Sequence, residues 1–152
     1  MDATHRFVAE VRWTGDRGSG TSGPRDFGRD HVVSAPGKPD ILASAARAFH
    51  GDLDRWNPEE LLLAALAQCH LLSFLYVATR AGVVVTAYTD EVTGMLETSA
   101  DGSGRFREAV LRPRVGYAAQ PADAAALHAE AHRLCFIANS VNFPVRVDPD
   151  IG

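Results

Sequence analysis

Basic runs are missing from this chain: its fifteen Lys and Arg are scattered over 152 residues against nineteen Asp and Glu, a formal balance of −4. Without a basic stripe there is no surface to track phosphates, so nucleic acid is not an expected partner. Internal repeats and low-complexity tracts are absent as well, which argues against a solenoid or a disordered tail. The opening stretch Met1-Asp2-Ala3-Thr4-His5 has no basic segment followed by an apolar one. It does not read as a secretion signal, and a cytoplasmic location is expected. Cysteine is scarce: only Cys69 and Cys135 occur, and no C-x-x-C or H-E-x-x-H spacing is formed. In a reducing compartment two such thiols read as reactive groups or metal ligands, not as a static staple. No cofactor-binding signature survives inspection. Gly18-Ser19-Gly20-Thr21-Ser22-Gly23 has G-x-G-x-x-G spacing, but Pro24 follows it and no helix pattern does, so it reads as a glycine-rich turn.

What the chain does have is an ordinary globular composition, 46% apolar and 22% charged, in a length suited to one domain over residues 1–152. Residues 6–14 alternate, with Phe7, Ala9, Val11 and Trp13 on one side, as a half-buried strand requires. Strand-like stretches follow around Asp30–Ala35 and Pro39–Ala43. Asn57-Pro58-Glu59-Glu60 then places an N-cap Asn, a Pro at the first helical position and a third-position Glu before an apolar run. The spacing predicts a helix from Pro58 through Ala78, stopped by Gly82 and apolar on nearly every face, hence buried. A membrane span is the competing reading. Gln68, Cys69, His70 and Ser73 interrupt the run and leave too short a clean stretch, so no membrane association is expected.

Val83–Glu97 and Arg105–Ala118 flank Asp101-Gly102-Ser103-Gly104, the pattern of a long β-hairpin. An alanine-rich helix over Ala122–Ile137, with Asn139 as its C-terminal cap, and a last strand over Phe143–Val147 complete the order. Strands and helices segregate instead of alternating, which makes the class α+β with two core helices packed against antiparallel sheets.

Cys69 sits about twelve residues into the first helix and Cys135 near the end of the second. A lone helical Cys is usually a small core residue, but two thiols on two core helices can meet. The run Asn57-Pro58-Glu59-Glu60-Leu61-Leu62-Leu63-Ala64-Ala65-Leu66-Ala67-Gln68-Cys69, paired with His132-x-x-Cys135 and Asn139-Ser140, resembles the OsmC/Ohr family of hydroperoxide reductases. The resemblance extends over nearly the whole chain. It implies an intertwined homodimer with active sites at its interface, a peroxidatic cysteine at Cys69, a resolving cysteine at Cys135 and a functional Glu at Glu59. It further implies a hydroperoxide substrate, organic in preference to hydrogen peroxide, and a lipoyl-type dithiol reductant.

The chemistry sets its own demands. The nucleophile is a thiolate, so a cation is needed beside Cys69, and the same cation can stabilise the alkoxide that leaves the peroxide. A carboxylate at Glu59 can hold an Arg fork by bidentate hydrogen bonding. Ten residues of helix separate Glu59 from Cys69, roughly 15 Å at the standard rise, so Glu59 is expected to serve mainly the partner's Cys69. Relatives place the Arg at the position of Arg17 or shortly before the Asn-Pro-Glu run, directly after a Phe. Here Phe49 is followed by His50, leaving Arg17, Arg47, Arg29 and Arg55 as candidates. His50 is a cation only when protonated. Leu66, Leu72, Phe74 and Phe136 are candidate walls for an alkyl group. Two other readings stand beside this one. His128, His132 and Cys135 share a helical face and, with Cys69 and His70, form a candidate zinc module; otherwise His132 lines a pocket and His128 lies on the surface. The altered arginine region also allows a binding protein of the same fold without catalysis.

Overall fold

The computed structural model describes residues 2–151. It is α+β, in the order β1 (Glu10–Trp13), β2 (His31–Ser34), β3 (Ile41–Ala43), a 3₁₀ turn, α1 (Pro58–Arg80), β4 (Val85–Thr98), β5 (Gly104–Tyr117), α2 (Ala124–Leu134), a second 3₁₀ turn and β6 (Val145–Val147). The chain forms two compact units, Met1–Leu61 and Leu62–Gly152, which divide within the first turns of α1.

In the first unit β1, β2 and β3 make an antiparallel meander, with Val11 opposite Val33 and Val32 opposite Leu42. The loop between β1 and β2 is closed where the Gly28 N–H donates to the Gly15 carbonyl and the Thr14 N–H to the Asp30 carbonyl, and the Trp13 indole N–H donates to the Gly28 carbonyl at 2.8 Å. A side chain at Gly15 would run into that same carbonyl, so the close approach requires glycine. The Gly18–Gly23 segment is a string of turns and bends, pinned where the Asp16 carboxylate accepts from the N–H groups of Gly18 and Gly20. The alternation over residues 6–14 is only partly expressed. Four residues form the strand and all four are exposed, so its apolar side is a face that the described residues leave uncovered.

The second unit is built on a 14-residue hairpin. β4 and β5 pair antiparallel from Val85 opposite Tyr117 to Thr98 opposite Gly104, and Asp101 ties the turn by accepting from the N–H and hydroxyl of Ser103. β6 joins the other edge of β5 in parallel, Ala109 opposite Val145, because α2 carries the chain back across the sheet before β6 begins. The sheet is therefore mixed where two antiparallel sheets were expected. Its central strand is the most buried: Ala109, Val110 and Leu111 are all under 5% exposed. Phe74, Val77, Ala78 and Ala131 form one core cluster, and Leu66, Ala109 and Leu111 another.

α1 begins and ends as its sequence dictates. The Asn57 side chain accepts from the Glu60 N–H at 2.9 Å, and Glu59 and Glu60 occupy the positive end of the helix dipole. At the other end Val83 N–H donates to Ala78 and Gly82 N–H to Thr79, the paired bonds of a Schellman motif, with Gly82 at φ 70°. Its burial is not as expected. A single stripe, Leu66, His70, Phe74, Val77 and Ala78, is buried, while only 28% of its most apolar 18 residues is covered and Leu72 and Tyr76 are more than half exposed. By length and composition α1 could span a membrane, but the same properties belong to the core helix of a soluble protein.

α2 is shorter than expected. Asp123 caps its start by accepting from the Ala126 N–H at 3.0 Å, and the helix stops at Leu134 because Cys135 adopts extended backbone, ψ 111°. Asn139 lies in the following 3₁₀ turn, yet it does cap the helix, donating from its side-chain amide to the Arg133 carbonyl at 3.1 Å. Replacing Asn57 by Ala leaves the Glu60 N–H without its side-chain partner. The expected cost is about 1 kcal/mol in urea unfolding with the m-value unchanged.

Candidate functional site

The two cysteines meet. Cys69 projects from the middle of α1, half-buried, and Cys135 is buried at the C-terminal cap of α2; both are free thiols, and they are near enough for Cys69 to act on the Cys135 thiol. Burial pushes the Cys135 thiol above its ordinary pKa, the backbone N–H groups of Ala138 and Ile137 pull the other way, and Cys69 adds to the rise. Cys135 thus presents a protonated S–H to the neighbouring sulfur. The early end of α2 makes this arrangement possible, because the extended backbone at Cys135 lets the following turn wrap N–H donors around its sulfur.

Directly beside the thiols lies a pair of buried histidines. His70 is 0% exposed and His128 3%, their rings are nearly parallel at 5.4 Å between centroids, and His70 Nε2 lies 3.1 Å from His128 Nδ1. Phe74 stacks on His128 at 4.2 Å and lies 6.4 Å from the His70 ring. Burial lowers both imidazoles to about 4, and for His70 the neighbouring His128 and His132 act in the same direction. The pair is therefore neutral at physiological pH, so one nitrogen donates and the other accepts. Tyr88, on β4, packs against Phe74 at 5.9 Å with its hydroxyl buried and unpartnered; burial and the Asp90 carboxylate raise its pKa well above the phenol range.

The surface position expected for His128 is thereby corrected: it is a core residue on the face of α2 that packs on α1. His132, half-buried, does line a groove, of about 420 Å³, together with His128, Arg146 and Asp148. The zinc module is not formed. Among the described residues no three His, Cys, Asp or Glu converge on a common point, since His70 and His128 spend their facing nitrogens on each other. The expected alkyl walls divide as well. Leu66 and Phe74 are fully buried in separate core clusters, whereas Leu72 is 64% and Phe136 80% exposed.

The charged candidates belong to the first unit. Glu59, Arg29, His31, Ser44 and Phe49 line a pocket of about 240 Å³, in which Glu59 Oε2 is buried without a partner. Arg29 also lines a neighbouring pocket of about 390 Å³ with Arg17, Arg25, Phe27 and His50. Its guanidinium stacks over the Phe27 ring at 4.1 Å and donates to the Phe27 carbonyl at 2.9 Å, which holds it facing both spaces. Arg17 is exposed. Arg47 is exposed in the 3₁₀ turn Arg47–Phe49 and lines neither of these two pockets, and Arg55 carries a buried, unpartnered Nη1. His50 closes that turn in the left-handed region at φ 68°.

Residues 50–150 match the family described as OsmC-like protein. The chain belongs to that family. An OsmC-like protein of unknown function from Vibrio cholerae is 30% identical, with a TM-score of 0.87 over 96% of this chain and 99% of its own. The organic hydroperoxide resistance protein OsmC of Legionella pneumophila is 20% identical with a TM-score of 0.72, covering 97% of each chain, and OhrB of Bacillus subtilis, an organic hydroperoxide resistance protein, 21% with 0.66, covering 95% and 98%. None of the curated proteins matches the chain.

Within this OsmC-family chain, sequence reading finds the two thiols but not what surrounds them. Arg29 gains its place from Phe27, two residues earlier in the loop that leads into β2. The histidine pair leaves only a faint signal, a His at the buried spacing of each helix. Its titration is open to measurement. Each imidazole is near 4 in the folded chain and near 6.5 when unfolded, so the unfolded state takes up protons first as pH falls. Unfolding free energy is expected to hold constant above pH 6.5 and to decline from there toward pH 4. In His70→Phe/His128→Phe the segment between pH 6.5 and 5 is expected to be flat in urea titrations.

Proposed function

We propose that this protein is a cysteine peroxidase that reduces organic hydroperoxides to alcohols. The observation that carries the reading is the pair of free thiols brought together by α1 and the cap of α2, one half-buried and one buried. In the first step the Cys69 thiolate attacks the terminal oxygen of ROOH; the O–O bond breaks, Cys69 becomes a sulfenic acid, and the alkoxide takes a proton to leave as ROH. Cys135 then attacks the sulfenic sulfur. The S–S bond forms, the Cys135 proton leaves with the hydroxyl as water, and the protein stops at a disulfide that an external dithiol, lipoyl-type by family resemblance, returns to two thiols. The partnership suits the energetics: a buried, protonated resolving thiol already in contact needs no rearrangement to meet the oxidised sulfur.

Glu59 is the group that holds the activating guanidinium in this reading. Arg29 is the candidate favoured by their common pocket, ahead of Arg17 and of Arg47. Both units then act as one family domain, and a second copy completes the site, with Glu59 serving the partner's Cys69. Support for the second copy is the exposed apolar surface: Leu72 and Tyr76 on α1, and Val11, Ile41 and Leu42 on the first sheet, are between 37% and 66% exposed. No metal or organic cofactor takes part, and the protein works as a soluble cytoplasmic homodimer.

Intact-mass analysis after one equivalent of cumene hydroperoxide tests the cycle. Wild type is expected to lose the mass of two hydrogens, Cys135→Ser to gain one or more oxygens, and Cys69→Ser to stay unchanged. A wild type that gains oxygen without forming the disulfide contradicts the resolving role. Light scattering on the eluted protein is expected to give about twice the 16.3 kDa of one chain, and Leu72→Asp to lower that mass.

A further inference from the structure

The buried histidines have no part in the cycle just described, yet they are placed where it is most sensitive. α2 packs on α1 through one face, His128, Ala131 and Cys135, exposed by 3%, 0% and 1%. The i, i+3, i+7 spacing puts all three on a common side of the chain as it runs into its cap. Ala131 is small and sits against Phe74, Val77 and Ala78, so the middle of this contact is smooth. A smooth apolar contact resists separation much more than it resists sliding. A slip of one residue along α2 is about 1.5 Å, enough to spoil sulfur–sulfur geometry, because a disulfide tolerates only a narrow range of Cα separations. At one end of the contact lies a directional bond, His70 to His128 at 3.1 Å, and at the other the pairing of the Cys69 and Cys135 thiols. The second of these is consumed in the reaction. Once Cys69 carries oxygen, the thiol–thiol pairing no longer exists, and whatever keeps Cys135 in place must come from elsewhere.

The tautomers follow from burial. His70 Nδ1 is buried with no partner. A buried lone pair without a donor is tolerated better than a buried N–H without an acceptor, so the proton is on His70 Nε2 and is donated to His128 Nδ1. His128 then carries its own proton on Nε2, and it lines the groove of His132, Arg146 and Asp148, where water can accept it. The bond therefore has one direction, and an acceptor at the Nδ1 position of residue 128 is all it requires.

We propose that the His70–His128 hydrogen bond is a positioning device for disulfide formation: it fixes the register of α2 on α1, so that Cys135 stays in reach of Cys69 after the peroxide has reacted. His70 and His128 are positioning residues and touch no reacting atom. The consequence under peroxide rests on the peroxidase reading. In that step the Cys69 sulfenic acid and the Cys135 thiol give the disulfide and water, and the competing step is a second hydroperoxide, which oxidises the sulfenic acid to a sulfinic acid and leaves as alcohol. Register decides which step wins.

Two variants separate the hydrogen bond from the packing. His128→Asn keeps an acceptor oxygen near the Nδ1 position, whereas His70→Phe/His128→Phe keeps the ring stack on Phe74 and leaves no orphaned donor, so it retains the fold. Each is oxidised with diamide, which joins two neighbouring thiols without peroxide chemistry, and the intramolecular disulfide is timed by intact mass. The double variant is expected to close about tenfold more slowly than wild type, the worth of one net buried hydrogen bond, and His128→Asn to close within about twofold of wild type. In rising cumene hydroperoxide, the concentration that converts half of Cys69 to sulfinic acid is expected to fall about tenfold in the double variant and to hold in His128→Asn. Equal diamide rates in all three proteins overturn the proposal, and so does an Asn variant as slow as the double one. Should wild type ignore hydroperoxide while the diamide order holds, the positioning role stands and the peroxidase reading fails.

Discussion

The contact between α1 and α2 is the constraint on which the second unit depends. Two successive residues of α1, Cys69 and His70, find their counterparts in Cys135, at the cap of α2, and in His128, and the small Ala131 of α2 packs against Phe74, Val77 and Ala78. Imidazoles are poor core formers unless they are paired, since each polar atom taken from water without a partner costs free energy. Here the pairing gives His70 Nε2 and His128 Nδ1 each a partner, while His70 Nδ1 stays buried without one. The long hairpin and the parallel β6 form the floor beneath them: Phe74 and Leu66 rest on β4 and β5, and the early end of α2 lets Cys135 turn toward α1 with its sulfur among backbone N–H groups.

Charge is organised elsewhere in the chain. Glu59, Arg29 and His31 share a pocket in the first unit, with Arg29 oriented by Phe27 and with one Glu59 oxygen buried and unpartnered. The charged groups therefore lie in the first unit and the two thiols in the second. The apolar surfaces of α1 and of the first sheet are of the kind a second copy covers. The OsmC family match covers residues 50–150, and the fold is shared with organic hydroperoxide resistance proteins.

Much of this was legible in the residues. Asn57-Pro58-Glu59-Glu60 announces α1, Gly82 ends it, and Asp101-Gly102 turns the hairpin, because caps and turns are local physics that a few side chains decide. Cys69 and Cys135 were marked by their scarcity and by the family pattern. The rest depends on long-range packing. An apolar helix reads as buried whether its cover comes from its own chain or another, so the exposure of Leu72 and Tyr76 was not visible. The stop of α2 at Leu134 comes from tertiary contacts of Cys135, not from a helix-breaking residue. His128 looked like a surface residue because its partner is 58 positions away.

The central claim is that the two sulfurs touch in the reduced protein, and a reagent that bridges neighbouring thiols reads this most directly. Phenylarsine oxide, added in excess to the reduced protein, closes a ring only when both sulfurs can bind one arsenic. The account predicts one arsenic per wild-type chain, stable to competition by a monothiol, and its loss in either Cys69→Ser or Cys135→Ser. Arsenic that a monothiol strips as readily from wild type as from the single variants would place the sulfurs apart and contradict the account.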